Sequence, residues 1–454
     1  MNRRRFWLYS GIIALGFFWT GSSYISQMYR LEHFLTPRKV DIVALRWNYL
    51  AQAAGIIIYS VLLSAKPHIT GRRSFFVWIM VADAVLMTAT LMSAQQIVVL
   101  WAGIIMNVFH GAVAGAYLTL LGAHVPQKER GRAFGFAYAA GSLGTYFLSL
   151  ISQEQFIRSK HVLVAYFLCI GANSLAVWIA EDVPAQEERA DRSMVPERKG
   201  PILLFLSLVL MGVLSSIGSS YQFQAVAEQK VKLEFSRAFY AIGLIGAGIA
   251  TDFDRRIGAV LCYGSLVFPF FQVALRSQPS LLRFAWALSY IILGFYTVFR
   301  AVSFVDVADR GRGLIHLAGM GLAAGRIGES LSTFIPEAVC ENQLYSTFLV
   351  LALFVPLTFL FFFFFERAYG EKPSADADED TLLERFGDKY DLTKREREIC
   401  YHLITGRSNA QISALLYISE STTKFHVKNI LKKTACGNRI ELTALFRRST
   451  GSRR

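Results

Sequence analysis

Apolar stretches of about 20 residues, the length an α-helix needs to cross the hydrocarbon core of a bilayer, begin near residues 6, 43, 74, 97, 133 and 161. A second set begins near 201, 235, 257, 281, 313 and 344. Twelve such runs in two groups of six leave few ways to fold. Lipid offers no hydrogen bonds, so each run must pair its own backbone groups and form a helix. With 54% apolar and only 18% charged residues, the chain is too greasy for a soluble multidomain protein. The start, MNRRRFWLYSGIIALGFFW, loosely echoes a twin-arginine signal at Arg3, Arg4 and Phe6. Further spans follow it and no small-residue cleavage site is obvious, so it reads as an uncleaved first membrane helix.

Between the groups, residues 181–200 are charged, hold two prolines and have no face to bury, which describes a solvated linker. Short loops with Lys66, Arg72 and Arg73, with Lys128, Arg130 and Arg132, with Arg255 and Arg256, and with Arg310 and Arg312 all fall on one side. By the positive-inside rule that side is cytoplasmic. Arg38, Lys39, Lys230 and Lys232 fall opposite, so the rule is followed in part. An even span count puts both termini in the cytoplasm, at the inner membrane of the cell. The halves also resemble each other: ERGRAFGFAYAAGSLG (129–144) recurs as DRGRGLIHLAGMGLAA (309–324), and TGRRSFF (70–76) has a weaker echo in DFDRRIGAV (252–260). Parallel repeats of this kind mark a duplicated six-helix unit.

On these residues, 1–366 resemble the major facilitator superfamily, with Gly71-Arg72-Arg73 and Asp252 to Arg256 similar to its loop motif after the second and eighth helices. The first copy, AKPHITGRR, lacks the family's aspartate, and the second lacks the glycine before the paired arginines. The resemblance implies that this motif latches the cytoplasmic ends of the helices.

A charge at mid-bilayer costs about 2.5–3.5 kcal/mol on insertion scales, so Arg300, Arg326 and Glu329 should point inward. Arg326 and Glu329 are three apart on one helical face and can neutralise each other. Asn107 and His110 share a face of the fourth span at the same spacing. Together with Arg300, and with Arg326 and Glu329, they are candidates for a central small-molecule site; a polar network that only fixes helix packing is the alternative. Intramembrane acids are few, chiefly Asp83, Asp306 and Glu329, which argues against a proton-driven pump without excluding one. The dense glycines of the eleventh span should let neighbouring helices approach closely, and the run Phe361 to Phe365 should face lipid.

Residues 366–390 carry eight acids against four bases and no apolar run worth burying, which reads as a tether. Its 25 residues extend at most about 80 Å, or average roughly 25–30 Å as a coil. From 391 to 454 the balance reverses to thirteen bases against five acids, and such a surplus favours anionic partners. Start and stop signals follow closely. Thr393 with Glu396 and Ser408 with Gln411 are capping-box pairs, Gly406 suits a left-handed helix end, and a fourth helix opens at Asn438 with Glu441. Ile412, Leu415 and Leu416 should give the second helix a buried face, and Thr423, Val427, Ile430 and Leu431 the third. Helix, tight turn, helix is the arrangement that lays a second helix in the major groove of double-stranded DNA. The outward face of the third helix then shows Ser421, Lys424, Phe425, Lys428 and Lys432. Lysine donates to guanine O6 and N7, an aromatic ring lies on a thymine methyl, and hydroxyls and remaining lysines suit phosphate.

LTKREREI (392–399), GRSNAQIS (406–413), ISESTTKFHVKNILKK (418–433) and the pair at 438–439 resemble the LuxR-type DNA-binding domain, with Gln411 in place of its usual glutamate and Thr423 in place of a valine. By position the resemblance implies that Lys424, Phe425 and Lys428 read bases, that Ser421, Thr422, Asn429 and Lys432 hold the backbone, and that the domain binds as a homodimer.

The expected architecture is all-α, a twelve-helix membrane bundle of two six-helix repeats and a small four-helix DNA-binding domain. Its segments are 1–180, first repeat; 181–200, linker; 201–366, second repeat; 367–390, acidic tether; and 391–450, LuxR-type domain. The expected function is a membrane-anchored transcriptional regulator whose bundle senses a small molecule or anchors the chain. A secondary transporter with a regulatory tail is the competing reading, and a sensor signalling through protein contacts a third. The acids Asp376 to Asp380 raise the hypothesis of autoinhibition of the basic domain. Cys169, Cys262, Cys340, Cys400 and Cys436 are scattered, with no metal spacing, nucleophile–base pair or phosphate-cradling glycine loop, so neither an enzyme nor a cofactor is expected.

Overall fold

The computed structural model describes residues 3–152, 160–183, 199–217, 236–267, 279–310, 314–336, 338, 339, 342–369, 383, 384 and 386–449. Most of the 181–200 linker, Lys230, Lys232, Arg312, Cys340, and the stretch containing Asp376 to Asp380 lie outside them. The chain divides into two compact units, Met1–Tyr369 and Gly370–Arg454.

The first unit is helical at all twelve expected places. Its helices are α1 Arg3–Glu32, α2 Pro37–Ala65, α3 Arg73–Met92, α4 Gln96–His124, α5 Arg130–Ser152, α6 Lys160–Ile179, α7 Lys199–Ile217, α8 Ser236–Phe253, α9 Arg255–Ser265, α10 Pro279–Arg310, α11 Met320–Ser332 and α12 Gln343–Tyr369. Helix α2 contains a π-helical stretch, Ile42–Asn48. Among the described residues seven helices, α2, α3, α4, α6, α7, α10 and α12, are long and apolar enough to cross a membrane by length and composition. The other spans carry the small and polar side chains that the interior uses, such as Ser22, Ser23, Ser26 and Gln27 on α1, each at most 1% exposed.

Contacts repeat with a period of six helices. The pairs α1–α5, α2–α4, α3–α4, α1–α6, α3–α6 and α1–α4 recur as α7–α11, α8–α10, α9–α10, α7–α12, α9–α12 and α7–α10. The halves meet through α5–α8 and α2–α11, which exchange under the same six-helix shift. Glycine makes some of these approaches feasible: a Cβ at Gly325 would collide with the Arg300 guanidinium, and one at Gly328 with the Val209 carbonyl. The phenylalanine run does not face lipid as a block. Phe361 and Phe364 are 1% and 5% exposed, while Phe362 and Phe363 are 55% and 49% exposed, because residues three apart share a helix face and the two between them do not.

At one end of the bundle a carboxylate joins the halves. Asp252, closing α8, accepts from the Gly131 and Arg132 amides at the start of α5 (2.7 and 2.8 Å). It also pairs with Arg132 and Arg255 (3.1 and 3.0 Å). A helix N-terminus favours a negative charge, and here it receives one. Asp306 on α10 holds Arg130 and Arg255 (2.9 and 2.7 Å), and Arg130 also donates to the Gly122 and Val125 carbonyls at the end of α4. The loop after α2 differs. Arg73 donates to the Trp178 carbonyl at 2.8 Å, and its amide to Asp182 at 2.9 Å, so its bonds stay within the first half.

The second unit contains α13 Lys394–Ile404, α14 Asn409–Leu416, α15 Glu420–Lys433 and α16 Arg439–Ser449. Both capping boxes form. Gly406 takes φ +84° and ends α13, with the Arg407 amide reaching back to the His402 carbonyl. Asn438 Oδ1 accepts from the Ile440 and Glu441 amides and caps α16. Packing starts before residue 391. Leu383 and Phe386 are 8% and 2% exposed and join the core of Ile399, Leu403, Ile412, Ile430 and Phe446, with the Phe386 and Phe446 rings 5.2 Å apart. Two apolar residues three apart among acids make no run, yet they make one helical face. Leu415, expected in the core, is 49% exposed, while Ile412 is fully buried and Leu416 packs partly buried against the same core.

Candidate nucleic-acid interface and buried charge triad

Helix α15 is amphipathic in the sense the reading face requires. Thr423, Val427 and Ile430 are buried at 0%, 9% and 0% exposure, and Leu431 is partly buried. On the other side Ser421, Thr422, Lys424, Phe425, Lys428 and Lys432 are exposed, and Asn429 is half-buried. Phe425 is 62% exposed. An exposed ring between two lysines costs solvation unless a partner covers it, and a base methyl is such a partner. Lys424 leans on Glu420, one turn earlier, at 3.1 Å, an exposed pair of little strength that phosphate or a base edge can displace. Ser419 caps the helix by accepting the Thr422 amide, and its hydroxyl also contacts those of Ser421 and Thr422 (2.7 Å each).

Two supports of this helix were not legible as such. Thr423 shares a 2.9 Å hydroxyl contact with Ser413 on α14. A threonine there adds a directional bond between the two helices at a position that is otherwise only packed. Lys433 reaches Glu396 at 2.7 Å and the Asp391 carbonyl at 2.8 Å, tying the end of α15 to the start of α13. Burial works to raise the Glu396 pKa, but the Lys433 ammonium and the hydrogen bonds from Thr393 outweigh it and hold the carboxyl below its usual value.

In the bundle, the expected ligand residues fall into two clusters. Arg300, Arg326 and Glu329 meet: Glu329 accepts from Arg300 at 2.5 Å and from Arg326 at 2.8 Å. Arg300 also stands over the Tyr296 ring (4.8 Å) and Arg326 over that of Tyr49 (4.2 Å). The i,i+3 pair therefore forms as expected, with a third member from α10, 29 residues from Glu329, that no local spacing signals. Asn107 and His110 bond elsewhere. Asn107 donates to Gln27 at 2.9 Å and accepts from Gln52 at 2.7 Å, and Gln27 also accepts from Asn48. His110 Nε2 lies 3.3 Å from both the Ser23 hydroxyl and the Asp83 carboxylate. With Asn107 fully buried and His110 4% exposed, both sit within the packing of the first half. Asp83 is fully buried with no hydrogen bond from another donor. Among the described residues no group of three His, Cys, Asp or Glu side chains could hold a metal.

Comparison with known proteins agrees with this division. Residues 391–446 match the model for bacterial regulatory proteins of the luxR family. Curated relatives include a nitrate/nitrite response regulator homolog of Haemophilus influenzae, 40% identical over 82 residues, which are 17% of this chain and 39% of that one. NarP, a nitrate/nitrite response regulator of Escherichia coli, is 37% identical over 91 residues, 19% of this chain and 42% of its own. The chain thus spans about two fifths of the length of these relatives. In solved structures the bundle is similar to the human organic anion transporter MFSD10, with a TM-score of 0.57 at 14% identity over 80% of this chain and 99% of that one. It is also similar to the E. coli fucose:proton symporter FucP, with a TM-score of 0.55 at 12% identity over 78% and 98%. Such identities speak for fold alone. These relatives are regulators and transporters, and the chain is a multi-pass membrane protein of major-facilitator-like fold that carries a LuxR-family DNA-binding domain at residues 391–446.

Proposed function

We propose that the protein is a membrane-anchored transcriptional regulator, with residues 1–180 and 201–366 forming a small-molecule-sensing or anchoring bundle and residues 391–450 binding double-stranded DNA as a homodimer. The observation that carries this reading is the outward face of α15: Lys424, Phe425 and Lys428 are all exposed on a helix whose other side is locked into a core. Lys424 and Lys428 reach guanine edges, Phe425 covers a thymine methyl, and Ser421, Thr422, Asn429 and Lys432 take phosphates. Both termini lie in the cytoplasm, where DNA is, at the inner membrane. Crosslinking the intact protein to genomic DNA in cells tests this. Enriched sites should vanish with the double substitution Lys424→Ala, Lys428→Ala; enrichment that survives it assigns DNA contact to another surface.

A working transporter with a regulatory tail is the second reading, favoured by the Asp252 carboxylate that ties α8 to α5 across the halves. Robust solute uptake into vesicles by residues 1–366 alone would favour it.

A further inference from the structure

Around Glu329, among the described residues, guanidinium groups outnumber the carboxylates that pair with them. Arg300, 2% exposed, and Arg326, with a side chain 20% exposed, share the one carboxylate of Glu329. Arg46, three residues before Tyr49 on α2, donates to the Thr333 hydroxyl and carbonyl (3.0 and 2.5 Å) and lies over the Phe334 ring at 4.0 Å, with no acid among its partners. Asp41, five residues before Arg46, makes no ion pair among the described residues; even set against Arg46 it leaves a surplus of one. The acids of α10 are taken elsewhere, Asp306 by Arg130 and Arg255 and Asp309 by Arg130. An uncompensated charge in a low-dielectric interior is costly, and a mobile counter-charge relieves it. Arg300 Nε has no acceptor.

What surrounds the surplus is aromatic. Tyr49 stacks under Arg326, and the Tyr240 hydroxyl donates at 2.8 Å to that of Thr297 on α10, one turn before Arg300. Tyr138 and Tyr290 each pack against Tyr240, with centroids 5.7 and 6.1 Å apart. These rings come from α2, α5, α8 and α10, hence from both halves, and all four are only half-buried. A fully packed core would hide them. An aromatic ring accepts another ring edge-on or offset, and a planar guanidinium presents a fork that a carboxylate fills with two bonds.

We propose that Arg326, with Arg300 and Glu329 behind it and Tyr49, Tyr138 and Tyr240 around it, binds a small aromatic monocarboxylate. This deepens the sensing reading given above and rests on it for its biological meaning, but its test needs no DNA. Full-length protein in lipid nanodiscs is melted with benzoate, with neutral benzamide and with cationic benzylammonium. Benzoate should raise Tm in a saturable way, and the other two should not. Arg326→Gln should abolish the benzoate shift and melt no lower than the parent, since it removes the surplus charge and leaves Arg300 and Glu329 paired. Should that variant fail to fold, Arg326→Lys keeps the charge without the fork and should weaken benzoate at least about tenfold. No shift with benzoate, an equal shift with benzamide, or a benzoate shift that survives the Arg326 substitutions overturns the assignment. Stabilisation by benzylammonium alone overturns it too, while leaving a sensor of some other ligand standing.

Discussion

The two units spend their charged side chains in opposite ways. In the bundle, Arg130, Arg255, Arg300 and Arg326 each end on a carboxylate within the fold. In the C-terminal unit Lys428 and Lys432 are exposed and Lys424 has only a surface partner. Charge turned inward fixes an architecture; charge left outward waits for a polyanion. The difference separates residues whose loss should unfold the chain from those whose loss should only blind it.

The strongest test of that separation is Glu329→Gln. Removing the carboxylate strands two guanidiniums and should cost about 3–5 kcal/mol of bundle stability, read as a large fall in Tm of the full chain in nanodiscs. An unchanged Tm would mean that water or lipid already neutralises the pair. Next in size, Lys428→Ala should cost about 1–3 kcal/mol of specific DNA affinity without altering the melt, whereas Lys432→Ala should weaken all sequences alike and lower the salt slope by about one. Titrations at several salt concentrations distinguish the two. Within the C-terminal unit, Glu396 should make stability depend on acid. Its folded carboxyl titrates below its unfolded value, so its contribution is whole above the unfolded pKa and is lost as pH falls through the folded one. Melts of residues 370–454 from pH 6 down to pH 3 should show this loss, and Glu396→Gln should flatten it. The smallest effect expected is Ser408→Ala, about 1 kcal/mol, because it removes the bond to the Gln411 amide; a chevron analysis would register it.

How far each region could be read beforehand follows the same line. Spans are visible because lipid demands length and apolarity, and the DNA-binding helices because capping boxes, the glycine end and the core positions act over three or four residues. What escaped was long-range. Arg300 joins Glu329 from another helix, His110 meets Asp83 on α3, and Asn107 finds Gln27 on α1; no spacing within one helix reveals such partners. Leu415 was misplaced for a related reason, since helical periodicity gives a face but not the width that a small four-helix core can cover. Leu383 and Phe386 were missed because two apolar residues among acids look like solvent-facing chain until Phe446 is brought against them.

The unequal bonding of the two interhelical loops has a mechanical consequence. On the α5–α8 side Asp252 bridges the halves, whereas the corresponding segment from Ala65 to Arg73 contains no acid and bonds Arg73 within its own half. On the α2 side the halves are joined instead by bonds to uncharged acceptors, Ser60 to the His316 carbonyl and Arg46 to Thr333, so a rocking motion would meet a stiff, charged seam and a more compliant one. The bundle would part first along α2 and α11, the pair that carries Tyr49 and Arg326, so whatever settles between those two side chains would hold the compliant seam shut.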